Sequence, residues 1–224
     1  MAFCTGLLSV LLHKLLMTKT GAAAEITFVG ATSATGTSTP SFSAITDLQE
    51  GDLVITYASR DGGSFTLSSS GWDGWNSNFP GSNNNNSITD IPAYKIMGAT
   101  VDTGQSYTSN AQAWTAVAFR NAAVDSPEVT SFATATGTSL SPPSISIATD
   151  GSALVQFCAI DDDASTLTPS TGYTKAAEAQ NATNGSNALT YKLGLSAGTE
   201  APATYSWSTS DAQLYRALRI IPSS

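Results

Sequence analysis

The sequence predicts an all-β fold, an antiparallel β-sandwich or jelly-roll-like architecture with two internal repeats of about 100 residues each. Two observations support this prediction. Short apolar segments alternate with turn clusters rich in Gly, Asn, Ser and Pro, and the same segments occur twice, as when Ala-Thr-Gly-Thr-Ser at 34–38 returns at 135–139. Apolar positions that recur in this way indicate that the same strands need the same neighbours.

Further pairs of segments extend the repeat over most of the chain. They share an aromatic residue after glycine, a Tyr-Lys pair or an apolar run. They are Gly71-Trp72 with Gly172-Tyr173, Tyr94-Lys95 with Tyr191-Lys192, 52–58 with 153–159, and 114–120 with 215–221. We expect these segments to hold equivalent places in the two repeats.

The predicted strands are short and regularly spaced. They cover Ile26–Gly30, Asp52–Ala58, Ala93–Met97, Gln112–Arg120, Val129–Ala133, Ile145–Ala148, Ala153–Ile160, Ala188–Leu195, Thr204–Trp207 and Tyr215–Ile221. The strands that begin at Asp52 and Ala153 are apolar on both faces, whereas a strand with one face in water alternates apolar with polar residues. We therefore expect both to be central strands covered on each side.

The body, residues 25–224, is predicted to be one compact unit rather than two independent beads, with repeat 1 at 25–121 and repeat 2 at 128–221. The connection at 121–126 is too short for a flexible linker. Residues 1–24 differ as a leader: an over-extended start before Met17, a signal peptide ending near 22–24, or an amphipathic docking helix. These three alternatives stay open.

Composition separates classes of function. Charged residues make up 12% of the chain, about half the usual share, and the formal net charge is −8. A low-charge chain rich in Ser, Thr and Gly is typical of extracellular or virion β-proteins. The acidic balance argues against nucleic acid and anionic membrane as partners, because both require clustered basic residues. We expect Cys158 to be a buried free thiol in a strand.

One set of motifs carries a family resemblance. It comprises a strand that starts with Gly-Asp-Leu, then Gly-Trp, Ala-Tyr-Lys with a following Gly-Ala, and a strand that ends in Phe-Arg. These stand at 51–53, 71–72, 93–95, 98–99 and 118–120. The chain from about Ala31 to Ile221 resembles two-repeat β-sandwich structural proteins of tailed phages and environmental bacteria. The second copy has Gly151-Ser152-Ala153 in place of Gly-Asp-Leu. The resemblance implies a virion or surface structural protein without catalytic residues.

The residues themselves offer little chemistry. The only histidine, His13, lies in the leader, so Ser-His-Asp and Cys-His arrangements and His-based metal sites are excluded from the body. The run Asp161, Asp162 and Asp163 is a weak calcium candidate, because hard cations bind clustered loop oxygens. The motif Asp-x-Asp-x-Asp-Gly is missing. We otherwise expect no cofactor, and we expect a solvated loop here rather than the carboxylate pair of a glycosidase.

The segment from Asp73 to Asn86 is the predicted ligand-facing loop. It adds two aromatic residues without a counterpart in the second repeat and follows them with four asparagines. Aromatic faces beside side-chain amides suit sugar rings and their hydroxyls. The candidate ligand-binding residues are Asp73, Trp75, Asn76, Phe79, Asn83, Asn84 and Asn85. The alternative is a loop that packs its own aromatic residues onto the sandwich.

Together these features predict a non-enzymatic structural or adhesive protein on a virion surface or outside the cell. It would be a tail, fibre or capsid-decoration component, with other virion proteins, itself as a homotrimer, and a surface glycan as partners. The alternative function is a secreted bacterial carbohydrate-binding or cell-surface adhesion module.

Overall fold

The computed structural model describes residues 23–74, 88–125, 130–161, 166–181 and 185–223. Within these ranges the protein is all-β, and its strands pair in an antiparallel manner. No helix in the described ranges is long and apolar enough to span a membrane. The predicted all-β class and antiparallel pairing are therefore confirmed, while most of the proposed leader lies outside the described residues.

The first sheet is built from the first part of the chain. Its strands are β1 (Thr27–Thr37), β2 (Leu53–Asp61), β3 (Asp73–Gly74), β4 (Ile88–Ile96) and β5 (Ala111–Arg120). They lie in the order β1-β5-β2-β4-β3, so β2 is flanked by β5 and β4.

The second sheet follows in the chain. Its strands are β6 (Ala122–Val124), β7 (Thr130–Leu140), β9 (Ser152–Ile160), β10 (Thr168–Pro169), β11 (Thr174–Asn181), β12 (Gly185–Leu195) and β14 (Tyr205–Pro222). The order is β10-β14-β9-β12-β11, and β6 and β7 also pair with β14. The strands β8 (Ile145–Ile147) and β13 (Gly198–Glu200) form a separate two-stranded sheet.

The two large sheets pack face to face through one apolar core. Alternate residues of β2 and β9 point into it, because successive side chains of a strand face opposite sides. Tyr57 of β2 stacks on Phe157 of β9 with ring centroids 4.9 Å apart. The fully buried members include Leu53, Ile55, Tyr57, Val155, Phe157, Leu214 and Leu218. This core joins the two parts of the chain.

A second apolar cluster covers the outer face of each sheet. In the first sheet, Val54 and Ala58 lie beneath loop residues that include Phe42 and Trp72. In the second sheet, Leu154 and Cys158 lie beneath residues such as Leu167 and Trp207. Both faces of β2 and β9 are thus buried, which confirms the prediction of two doubly covered central strands.

The ladder registers of these two strands differ by one residue from the alignment expected from the sequence. Ile55 lies between Tyr94 and Val117, and Val155 lies between Tyr191 and Leu218. Counted from these neighbours, Asp52 and Ser152 stand three residues before Ile55 and Val155, whereas the sequence comparison aligned Asp52 with Ala153. A shift of one residue moves every side chain to the opposite face, and the sequence alone could not resolve it because both faces are apolar.

Two predicted strands, Thr204–Trp207 and Tyr215–Ile221, are one continuous strand, β14. The pairing of β14 with β7 changes register between Ser206 and Asp211, and this irregular stretch of polar residues hid the continuity. Strand β11 was not predicted from the sequence, because its lysine, glutamate and glutamine give it the polar composition of a sheet edge rather than an apolar pattern.

Polar contacts also cross the interface between the sheets. Arg216 of β14 forms a two-point ion pair with Asp90 of β4, and both side chains are fully buried. Asn187 of β12 donates from Nδ2 to Ser59 Oγ and to the Ala113 carbonyl, each at 2.9 Å. Such contacts fix how the two sheets align, because a buried polar group without its partner is costly.

Candidate ligand site

Of the predicted ligand loop, the structure describes only the beginning. Asp73 is exposed and begins the short edge strand β3, where its backbone pairs with Tyr94. The remaining candidates, Trp75, Asn76, Phe79, Asn83, Asn84 and Asn85, lie outside the described residues. The prediction that this loop contacts a ligand therefore stays a prediction.

The calcium candidates are described in part. Asp161 is 9% exposed at the end of β9, and its backbone N–H donates to the Ala212 carbonyl at 3.1 Å. Asp162 and Asp163 lie outside the described residues. Among the residues the structure describes, no group of three or more His, Cys, Asp or Glu side chains is arranged to hold a metal ion.

The Gly-Trp and Tyr-Lys motifs of the first sheet meet at a carboxylate. Trp72 Nε1 donates to Asp102 Oδ2 at 3.1 Å, and Lys95 Nζ donates to the same oxygen at 2.8 Å. The Trp72 ring is nearly buried beside Phe42, with centroids 5.6 Å apart. This triad fastens the loop that contains Asp102 to the outer face of the first sheet.

The second sheet has a corresponding triad. The Tyr173 hydroxyl donates to Glu200 Oε1 at 2.6 Å, and Lys192 Nζ lies 2.7 Å from that oxygen and 5.4 Å from the centre of the Tyr173 ring. Burial, with a further contribution from Glu200, raises the pKa of Tyr173. The phenol therefore stays protonated and remains a hydrogen-bond donor at neutral pH.

The Gly-aromatic and Tyr-Lys motifs were expected to hold equivalent places in two repeats, but their two carboxylate partners were not predicted from the sequence. A signal was present, since Asp102 follows Lys95 by seven residues and Glu200 follows Lys192 by eight. An acidic residue thus follows each Tyr-Lys pair at a similar distance in the sequence, and in the structure each of these acids accepts a hydrogen bond from the lysine of its pair.

An open cavity of about 230 Å³ lies beside Asp102 on the outer side of the first sheet. We call it the Asp102 cleft. Its walls come from residues 41–48 and 101–103, with apolar Leu48 and Val101 partly exposed and hydroxyls from Ser41, Ser43 and Thr103 around them. The segment 101–103 also lines a wider depression whose opposite wall is Ser68–Ser70.

The cleft is held by backbone contacts. Phe42 N–H donates to the Thr103 carbonyl at 2.9 Å, and Gln105 N–H donates to the Pro40 carbonyl at 3.0 Å. Gly104 sits so close that a Cβ there would lie 2.3 Å from the Pro40 carbonyl oxygen. Only glycine allows this approach, so the two walls are fixed relative to each other before any ligand arrives.

The corresponding loops of the second half are arranged differently. There β8 and β13 pair over three residues each, whereas the loops that line the Asp102 cleft meet in an isolated bridge between Ser41 and Gly104. Ile145 and Ile147 of β8 are buried against the second sheet. The loops of the second half are therefore joined by a short two-stranded sheet, and those that line the Asp102 cleft are joined by a bridge with two backbone hydrogen bonds.

The basic side chains of the body bind to groups of the same chain. Six of the seven bases that follow the leader form ion pairs, and Arg60 Nη1 donates to Ser109 Oγ at 2.8 Å. The pairs are Lys95–Asp102, Arg120–Asp52, Lys175–Glu178, Lys192–Glu200, Arg216–Asp90 and Arg219–Asp125. Each cation thus has an internal partner, and the excess charge of the protein is negative.

Two buried titratable groups have pKa values shifted towards their neutral forms. Burial raises the pKa of the Cys158 thiol, so this side chain, which is fully buried, is not a thiolate at neutral pH. Burial also raises the pKa of the Asp90 carboxyl, although Arg216 opposes that shift.

Together the sheets and the cleft define an all-β protein with a small polar-rimmed depression on one outer face. Comparison with protein families, curated proteins and solved structures finds no match to this chain.

Proposed function

We propose that this chain is a non-enzymatic structural or adhesive protein of a virion surface, as a tail, fibre or capsid-decoration component. In this role its sheets supply a rigid body for assembly and its loops supply the contacts. Its partners would be other virion proteins and further copies of itself.

The observation that carries the proposal is that the basic side chains pair with acids of the same chain. Six of the seven bases in the body pair with acids of the same chain, and one of these pairs, Arg216–Asp90, is fully buried. Ion pairs that join strands and loops of the same chain favour a structural role. The negative charge that remains disfavours nucleic acid and anionic membrane as partners.

We further propose that the two sheets are pseudo-symmetric repeats. The order β1-β5-β2-β4-β3 in the first sheet matches β7-β14-β9-β12-β11 in the second. The triads Trp72–Lys95–Asp102 and Tyr173–Lys192–Glu200 occupy matching places in that order. Duplication of one packing unit is an economical route to a rigid assembly protein.

Assembly would use the outermost strands. Among the described strands β1 pairs only with β5 and β7 only with β14, and each runs for 11 residues without a charged side chain. An uncharged edge offers backbone N–H and C=O groups to another strand. Pairing between copies would satisfy those groups, and we propose a homotrimer.

The adhesive part of the proposal concerns the loop that starts at Asp73. Its aromatic residues and asparagines suit a surface glycan, with weak single contacts strengthened by the number of copies. Trp75→Ala should abolish retention on glycan-bearing cells and leave the melting curve unchanged. Loss of folding in that variant would place Trp75 in the core and refute the binding loop.

The experiment that tests the main proposal is localisation of the chain. Mass spectrometry and antibody labelling in electron microscopy should find it on purified virus particles. Recovery only as free protein in the culture medium would refute the virion role and support the alternative, a secreted bacterial carbohydrate-binding or adhesion module. Light scattering tests the trimer separately, and a monomer at high micromolar concentration would refute it.

A further inference from the structure

We propose that the Asp102 cleft is a binding site for one neutral sugar ring, lined by other residues than the predicted ligand-binding residues of the Asp73–Asn86 segment. The inference extends the proposed adhesive role to a second place on the molecule. It rests on that role only for the choice of sugar as the ligand class. It does not depend on a virion location.

The first step is the free acceptor in the cleft. Asp102 Oδ2 accepts hydrogen bonds from Trp72 and Lys95, whereas Oδ1 has no hydrogen-bond partner among the described residues. The Asp102 side chain is 27% exposed, and it lines the cleft. A carboxylate oxygen that is held in place but not used can accept a hydrogen bond from a ligand hydroxyl.

The second step is the charge of the ligand. Lys95 lies 2.8 Å from the Asp102 carboxylate and balances its charge. A cationic ligand would therefore meet little net attraction, while an anionic ligand would meet the free carboxylate oxygen. A neutral ligand that donates hydrogen bonds fits this site better than either ion.

The third step is the shape and lining. Leu48 and Val101 offer apolar surface in a lining that also contains the hydroxyls of Ser43 and Thr103, while the Ser41 hydroxyl donates to the Thr103 carbonyl at 3.1 Å. The C–H face of a pyranose can lie on apolar side chains while its hydroxyls exchange hydrogen bonds with the rim. The volume of about 230 Å³ is below the range of about 300–1,000 Å³ for drug-sized ligands, which favours a single ring.

The fourth step is rigidity. The contact between Gly104 and Pro40 and the hydrogen bond from Phe42 N–H to Thr103 fix both walls without a ligand. A site that needs no reorganisation loses less free energy on binding. We therefore expect measurable but weak binding, with dissociation constants on the order of 1–10 mM for one ring.

The test is saturation-transfer difference NMR on the full-length protein. The probes are the methyl glycosides of glucose, galactose, mannose and N-acetylglucosamine, with glucosamine and glucuronate as charged comparisons. Saturation transfer to at least one neutral glycoside, stronger than to either charged sugar, is the expected result. Absence of transfer to all four neutral glycosides overturns the proposal, and so does preferred binding of a charged sugar.

Variants locate the site. Ser43→Phe should fill the cleft from its exposed rim and reduce the signal more than fivefold, and Asp102→Asn should weaken it while keeping the side-chain shape. The matched control is Ser144→Phe, which changes an exposed serine next to β8 in the second half. Unchanged binding in Ser43→Phe, or an equal loss in Ser144→Phe, overturns the proposal.

The outcome separates this site from the loop. If Trp75→Ala removes saturation transfer and Ser43→Phe does not, the sugar binds at the loop and the cleft proposal is wrong. If Ser43→Phe removes transfer while the chain is absent from virus particles, the cleft proposal stands and the virion role fails.

Discussion

The buried ion pair between Asp90 and Arg216 should dominate the coupling between the two sheets. Both side chains are fully buried, and the two residues lie 126 positions apart on β4 and β14. Removing one partner leaves an uncompensated charge between the sheets. We expect Asp90→Val or Arg216→Met to lower the free energy of unfolding by about 3–5 kcal/mol.

The double variant should behave differently. Asp90→Val with Arg216→Met replaces the pair with apolar side chains, which removes the desolvation cost together with the attraction. Its stability should lie close to the wild type or up to about 4 kcal/mol above it.

Urea unfolding followed by tryptophan fluorescence measures these differences, and calorimetry gives a second value. For a chain of this size, about 3–5 kcal/mol corresponds to a fall in Tm of roughly 6–20 °C. The control is Lys175→Met, which breaks a pair with 30% and 16% exposed side chains and should cost no more than about 1 kcal/mol.

Two results would refute this reasoning. If each single variant costs less than about 1 kcal/mol, the pair is hydrated and does not couple the sheets. If the double variant is as unstable as the sum of the two single variants, the side chains act independently.

Three further predictions follow from burial. Asp90→Asn should gain stability relative to the wild type as pH rises from 4 to 7. Burial raises the folded-state pKa of Asp90, which faces Arg216 and Tyr57, so protonation of this carboxyl stabilises the folded wild type fully below the unfolded-state pKa, and that contribution is lost as pH rises through the folded-state pKa. Urea unfolding at several pH values checks this, and a stability difference between the two proteins that does not change with pH contradicts it. In a Cys4→Ser background, Cys158 should react with a thiol reagent only as fast as the protein unfolds, whereas rapid labelling of the native protein would place the thiol at the surface. Gly104→Ala should cost about 1–3 kcal/mol because its Cβ would meet the Pro40 carbonyl, whereas Gly98→Ala, with open space around it, should change stability by less than about 0.5 kcal/mol in the same assay; equal effects would contradict the close approach.

Local pattern was enough for most of the long strands, although not for β11, and for several core residues. Trp114 and Cys158 were predicted to lie in strands, and the structure buries both. The doubly apolar character of β2 and β9 follows from their composition, because a strand with both faces apolar has to be covered twice. The all-β class could therefore be derived from residues that are neighbours in the sequence.

Contacts between distant residues could not be derived in this way. Nothing in the sequence near Asp90 indicates that its partner is Arg216. The hydrogen bonds that occupy one oxygen of Asp102 and leave the other open depend on how the three segments that contain Trp72, Lys95 and Asp102 are placed. The equivalence of position between Ile55 and Val155 also required the ladders, since the neighbouring sequence is compatible with either alignment of the two strands.

The sequence by itself determined the all-β class and the two central strands of this protein, because the period of apolar residues and the chemistry of Gly, Asn and Pro turns act over a few residues. Only the tertiary structure decided the register of those strands, the buried ion pair and the Asp102 cleft. Each of these depends on the distance between segments far apart in the chain, and that distance is set by how two sheets and their loops pack against one another.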